Sequence, residues 1–349
     1  MSRSDTVGRA RVTVFSPKIE ELLRDRRGAK VFRLEADTVG VADPNVMDKL
    51  LGSRSAHEFE RPTFKPLQGR SIARAEANDM LHAISRDVRD ALQRPAPDSI
   101  DLSGIWPRAG HAYLRDLLFG PEPARFRLLT DPRLETAPVV ARAAVRASAA
   151  WPGRPGPEAS MSHLALRTAA AADDDRHYAT GLYRRVAAPV CLGVSALVAN
   201  ALWLGSPFDP EASNRHIVLE SLRLLPPSWN ILRVASGEFP ALDPRIGPGD
   251  DVLLLPLLSH RDPDLWDDPD EFRPRRWQDL DVENQPGFLP FGHVNERCRG
   301  RHLIVPLAEH LLERIRSEGL VVSPEQTTAK VPLAGLLGVT RVRVVRPRA

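Results

Sequence analysis

The chain has 349 residues, 42% of them hydrophobic, enough to bury one large core or two smaller ones and to exclude a disordered polymer. Its 48 Lys and Arg against 45 Asp and Glu leave a net charge of +3, which argues against a binder that depends on many phosphate contacts, so nucleic acid is not an expected partner. Two cysteines, Cys191 and Cys298, are too few for a disulfide framework or a four-sulfur metal site and fit a reducing cytoplasm.

In chain order, the first residues carry no apolar stretch of the kind that forms a signal peptide or an anchor, so a soluble cytoplasmic protein without a membrane role is expected. From about 18 to 100, short helical patterns surround a strand-like pair, Lys30 to Leu34 and Thr38 to Val41, which predicts a hairpin followed by helices. From Leu102 to Tyr183 the periodicity is helical, interrupted by the Pro and Gly cluster Trp151 to Pro157, which reads as a loop. Val186 to Gly205 is long and apolar enough to be weighed as a membrane span. Pro189, Ser195 and Asn200 interrupt it and no second span accompanies it, so a central helix buried on every side is the expectation. After Pro207 come a short helix near Asn214 to Leu225, a Pro-rich stretch with a strand near Asp251 to Leu255, a loop, a helix from about Gly300 to Ser317, and a last strand at Val342 to Val345. There is no internal repeat, and residues 1–349 read as one mainly α domain with a minor β region.

The chemistry concentrates in Phe288 to Arg301, FLPFGHVNERCRGR, where a Gly-bearing loop delivers Cys298 to the start of a helix. A helix N-terminus offers free N–H groups and partial positive charge, which stabilise an anionic sulfur, and Arg297, Arg299 and Arg301 add positive charge. A thiolate that ligates iron needs such surroundings, yet a structural cysteine among surface arginines fits the segment equally well.

Two further segments separate these readings. Glu220-Ser-Leu-Arg223 places a carboxylate and a guanidinium three residues apart on one helix face, and Asp267 to Trp277, DDPDEFRPRRW, follows with Arg276 as a third member of the cluster. In order and spacing with the Cys298 loop, these motifs resemble the cytochrome P-450 superfamily, clearly from about Glu220 to Glu313 and faintly before that, with the motif-bearing part at about 180–320. Ser259-His-Arg-Asp-Pro263 and the turn Ala42-Asp-Pro44 share the likeness. The resemblance implies a cytochrome P-450-like fold, compressed in its N-terminal half, and heme b with Cys298 as its axial ligand. It places Phe291, Gly292, Arg297 and Gly300 in the ligand loop, and Arg233 at a heme propionate. For the second propionate clamp, His82 and Arg86 share a helix face and are preferred to His57 and Arg61, which run into Pro62.

The pattern is also broken. Val294 and Glu296 stand where the family's loop carries a glycine and a basic residue, and Arg297 is displaced by one position. The central helix should carry an acid beside an alcohol for proton delivery near Val186 to Ala188, and neither is there. Arg184 and Arg185, one turn earlier, resemble the arginine with which a peroxide-using branch holds a substrate carboxylate, and they are the catalytic candidates, with Thr180 as a fallback donor. The expected function is a monooxygenase acting on a small organic substrate, with electrons from NAD(P)H through a ferredoxin-type partner that a basic rim of Arg273, Arg275, Arg299 and Arg301 would attract. The alternatives are a peroxide-using or non-oxygenase heme enzyme of the same fold, and a degenerate relative that activates another enzyme, against which the presence of Cys298 speaks.

Overall fold

The computed structural model describes residues 11–52, 74–93, 101–119, 143, 176–235, 239–293, 297–298, 300–333 and 336–347, and gives 74–78, 80, 116, 119 and 176–189 as backbone only. The loop expected at Trp151 to Pro157, together with His57, Arg61, Val294, Glu296 and Arg299, lies outside these residues.

Strand β1 (Val12–Phe15) leads into helix α1 (Pro17–Asp25), which starts on a proline whose missing N–H costs nothing in a first turn and which buries Ile19 and Leu22. The expected hairpin forms as β2 (Val31–Glu35) and β3 (Thr38–Val41), paired antiparallel. It joins β5 (Ile231–Val234) and β6 (Asp251–Leu254) in a four-stranded sheet of order β2-β3-β6-β5, with β3 and β6 parallel. Val39, Val41, Val252 and Leu254 cluster with Met47, Leu50 and Leu51 of α2 (Pro44–Gly52), which follows the Ala42-Asp-Pro44 turn. Two small sheets complete the β region. β1 pairs in parallel with β8 (Thr328–Val331), and β9 (Val342–Val345) lies between β4 (Gly104–Trp106) and β7 (Val321–Val322). β1, β4, β5, β7 and β8 were not expected; two to four residues are too few for a period-2 pattern to stand out.

The larger core surrounds α5 (Arg176–Gly205), packed by α3 (Arg74–Gln93), α4 (Arg108–Phe119), α6 (Asn214–Leu224) and α8 (Arg301–Ser317). Val190, Cys191, Val194, Leu197, Val198 and Leu202 are buried on one side and Ala199, Asn200 and Trp203 on the others, so the helix is buried all round from Leu197 to Trp203, whereas Leu192 before it is exposed, against the expectation of burial on every side. The helix starts ten residues before the apolar run. Among the described residues no helix is long and apolar enough to cross a membrane. Between β6 and α8 the chain makes the short helix α7 (Pro256–Ser259), a 3-10 turn at Pro274–Gln278 and otherwise irregular loop.

Candidate functional site

Helix α6 is capped by Ser213, whose Oγ accepts from the His216 N–H at 3.1 Å, and it carries Glu220 and Arg223 into the core at 0% exposure. Arg223 grips Glu220 bidentately, Nη2 to Oε1 at 2.7 Å and Nε to Oε2 at 3.1 Å. Its remaining N–H groups donate to the carbonyls of His260 (2.8 Å), Pro269 (2.6 Å) and Glu271 (3.0 Å), so all five guanidinium donors are used. Glu220 also accepts from the Arg273 N–H (2.9 Å), Arg276 Nε (3.1 Å) and Trp277 Nε1 (2.9 Å). Arg276 thus joins the pair, its pKa lowered chiefly by burial.. One buried ion pair therefore fixes three points of the 260–271 segment and three of the 273–277 turn. A buried pair satisfied to this degree loses about 3–5 kcal/mol when one partner is removed, because the other charge is stranded.

His260, fully buried, links this cluster to the cysteine loop. Burial, and then the Arg223 charge, push its pKa down to about 3, so the ring is neutral. Nδ1 donates to the Arg223 carbonyl at 3.2 Å and Nε2 accepts the Leu289 N–H at 2.9 Å, which fixes the tautomer. Ser259 Oγ donates to the Gly287 carbonyl at 2.8 Å, and Trp266, Trp277 and Phe288 pack ring against ring beneath the loop. Sequence reasoning found Ser259 to Pro263 as a likeness but did not assign His260 its bridging task; a histidine beside an arginine in a loop looks solvated until the fold buries it.

The loop closes on itself where the Cys298 N–H donates to the Phe291 carbonyl at 2.8 Å, with Gly292 at φ 84° making the turn. The Cys298 carbonyl accepts the Arg301 N–H at 3.2 Å, and Gly300 caps α8. Cys298 is exposed, and a Cβ on Gly300 would make ordinary van der Waals contact with its sulfur at 3.9 Å. Cys191, by contrast, is buried and its thiol is pushed up to about 12. Arg297 pairs with Glu283 at 2.5 Å, and His293 Nε2 meets Asp48 of α2 at 2.7 Å.

The other candidates are distributed around this loop. Ser85 of α3 lies 3.4 Å from His302 in the first turn of α8, and His82 and Arg86, both exposed, flank Ser85 on one helix side. Arg233 is buried on β5, with Nη1 donating to the Leu232 carbonyl at 2.8 Å. The side chains of Thr180, Arg184 and Arg185 are outside the described residues. The basic rim is corrected in part. Arg273 is paired with Asp268, and Arg275 with Asp209 (2.8 Å) and Glu211 (2.6 Å), so neither is a free positive charge for a partner.

One feature of α5 escaped sequence reasoning. Leu192 is 47% exposed between buried Cys191 and Val194, and a Cβ on Gly193 would meet nothing within 4 Å. Leu192, Gly193 and the half-buried Ala196 share a helix side, so the central helix opens to space about a turn and a half beyond Val186 to Ala188. Among the described residues, Leu192, Gly193 and Ala196 give that open side neither acid nor alcohol. A separate cavity of about 730 Å³, lined by Asp48, Arg215, Phe288, Phe291, Arg297 and His302 among others, receives no residue from α5.

The family model of cytochrome P-450 matches residues 215–306, the stretch from the first turn of α6 to the second turn of α8. Over 91 residues the chain is 35% identical to cyclooctatin synthase of Streptomyces melanosporofaciens, and over 94 residues 38% identical to sterol 14alpha-demethylase of Mycobacterium tuberculosis. Each match covers 26% of this chain and 20% of the relative, so it spans about a fifth of the relatives' length. The fold likeness reaches further. HmtT, involved in himastatin biosynthesis, aligns with a TM-score of 0.58 at 15% identity over 93% of this chain and 96% of its own. Cytochrome P-450 EryK from S. erythraea aligns with a TM-score of 0.57 at 19% identity, covering 95% and 96%. Residues 215–306 thus match the cytochrome P-450 family model, and the chain shares the fold of these solved structures through most of its length.

Proposed function

We propose that the protein is a heme-thiolate monooxygenase in which Cys298 is the axial ligand and an organic substrate is oxidised on the side of α5. The observation that carries this reading is the pairing of an exposed cysteine, held by a closed loop over a fully satisfied buried ion cluster, with an open side on the central helix. The residues fit such a group. Exposure of Cys298 is unusual for a residue type that is normally buried, and Gly193 leaves space that a side chain would fill. Heme, when bound, supplies the oxidising chemistry, with an electron-rich thiolate promoting O–O cleavage.

The chain's own residues have definable tasks. Cys298 supplies the sulfur ligand while its N–H is spent on Phe291 and its carbonyl on Arg301, which fixes the sulfur's direction. Arg233 from the buried side of β5, and His82 and Arg86 from α3, would donate hydrogen bonds to the propionates. His260 and the Glu220–Arg223 pair hold the loop that carries the ligand. Leu192, Gly193 and Ala196 line the substrate side with apolar surface. Electrons come from NAD(P)H through a redox partner of ferredoxin type.

A second reading, with hydrogen peroxide as oxidant, is favoured by one observation: among the described residues, the open side of α5 at Leu192, Gly193 and Ala196 offers no side chain that can relay a proton. Arg184 and Arg185 lie seven to nine residues before Leu192 and Gly193, roughly 10–14 Å along the axis, and a substrate carboxylate held there would serve instead. The test is the carbon monoxide spectrum of the reduced protein, followed by product formation with a ferredoxin system or with peroxide. The thiolate-type band is expected in wild type and in Cys191→Ala and absent in Cys298→Ala; equal loss in both variants overturns the assignment. Peroxide-driven product that falls in Arg184→Ala or Arg185→Ala selects the second reading, and efficient ferredoxin coupling untouched by either change selects the first.

A further inference from the structure

The cavity of about 730 Å³ between α2, α6 and the start of α8 receives no residue from α5, so it is separate from the side on which the substrate is oxidised. Its size is that of a small-molecule site, and its walls are of the matching kind. Leu219, Val282, Phe288, Phe291, Val305 and Pro306 give it an apolar lining with two aromatic rings. Its charges are unevenly paired. Among the described residues two carboxylates line it, and both are taken, Asp48 by His293 at 2.7 Å and Glu283 by Arg297 at 2.5 Å. Two guanidinium groups on its wall have no such partner. Arg301 meets, among the described residues, only the Cys298 carbonyl at 3.5 Å, and Arg215 faces Glu309 at 3.7 Å, beyond hydrogen-bond reach. Each arginine also stands in the first turn of its helix, Arg215 in α6 and Arg301 in α8, where positive charge is disfavoured, and neither turn carries an acid. A hydrated arginine is ordinary on a surface. Two that share one apolar cavity, with every described carboxylate in it already paired, suit an anion that brings apolar surface of its own.

We propose that this cavity is a second ligand site and that it takes an aryl carboxylate, whose charge is met by Arg301 and Arg215 and whose ring occupies the apolar lining. The site goes beyond the heme-thiolate reading and does not rest on it, since Cys298 does not line the cavity.

The test is calorimetric titration of the heme-loaded protein saturated with 4-phenylimidazole, so that the iron's free position and the space beside it are filled. The probe is 2-naphthoate, with 2-naphthylmethanol supplying the rings without the charge and acetate the charge without the rings. One equivalent of 2-naphthoate should bind, at least about tenfold more tightly than either control. Arg301→Gln and Arg215→Gln should each weaken it by about tenfold, and Val305→Phe, which keeps both arginines but narrows the cavity, should weaken it by a similar factor. Arg24→Gln, an equal change of charge at an exposed position on α1, should leave it unaltered. Both cavity arginines have exposed side chains, so their variants decide the question even where Val305→Phe fails to fold. No binding of 2-naphthoate, acetate bound as well as 2-naphthoate, or binding indifferent to both arginine changes overturns the inference. Failure of wild type to take up heme overturns the heme-thiolate reading instead, and the same titration without 4-phenylimidazole still decides the site.

Discussion

Arg223 spends all five N–H donors on Glu220 and three backbone carbonyls in the interior, whereas Arg297, beside the cysteine, pairs with a Glu283 carboxylate that is 70% exposed. The two regions are joined by His260 and Leu289, yet they are held differently. In the buried cluster every partner is a side chain or carbonyl fixed by geometry. In the loop the closure is made by backbone, the Cys298 N–H on the Phe291 carbonyl, and so does not depend on a particular side chain.

The largest test of this contrast is to break the cluster. Arg223→Ala or Glu220→Ala strands a buried charge, and each should lose about 3–5 kcal/mol of stability and yield protein without heme. Denaturant midpoints and heme content read the effect; folded, heme-loaded protein from both variants would mean that the cluster does not support the loop. Next in size is the pH dependence set by His260. Its pKa is 6.5 in the unfolded chain and about 3 when folded, so the unfolded state binds the extra proton between these values. Its contribution is therefore complete above pH 6.5 and is lost as pH falls towards 3, with a slope approaching about 1.4 kcal/mol per pH unit. The stability of wild type minus that of His260→Gln, measured by denaturant between pH 7 and pH 4, should show this slope; parallel curves would contradict it. The smallest effect belongs to the loop's surface pair. Glu283→Ala should cost less than about 1 kcal/mol and leave the absorption spectrum unchanged, since exposed ion pairs contribute little. A loss as large as that of Arg223→Ala would erase the distinction between the two regions.

Much of the fold was legible where period and length coincide. The helices at 214–224 and 301–317, the hairpin at 31–41 and the strands at 251–254 and 342–345 fall within a residue or two of their expected limits. The strands β1, β4, β5, β7 and β8 were not legible, because they take their shape from partners distant in the chain, as β1 does from β8. For the site, the Glu220, Arg223, Arg276 and Cys298 framework could be read because it is ordered in sequence. The roles of His260 and Gly193 could not, since each depends on what the fold brings near. The stretch of α5 at 186–188, found by counting back from Glu220, has its side chains outside the described residues; among the described residues the helix is open at Leu192 and Gly193.

X-ray absorption at the iron edge of the heme-loaded protein tests the central claim most directly. The account predicts one sulfur scatterer at bonding distance from iron in wild type and Cys191→Ser, replaced by a lighter atom in Cys298→Ser. A sulfur signal that persists in Cys298→Ser, or none in wild type, would contradict it.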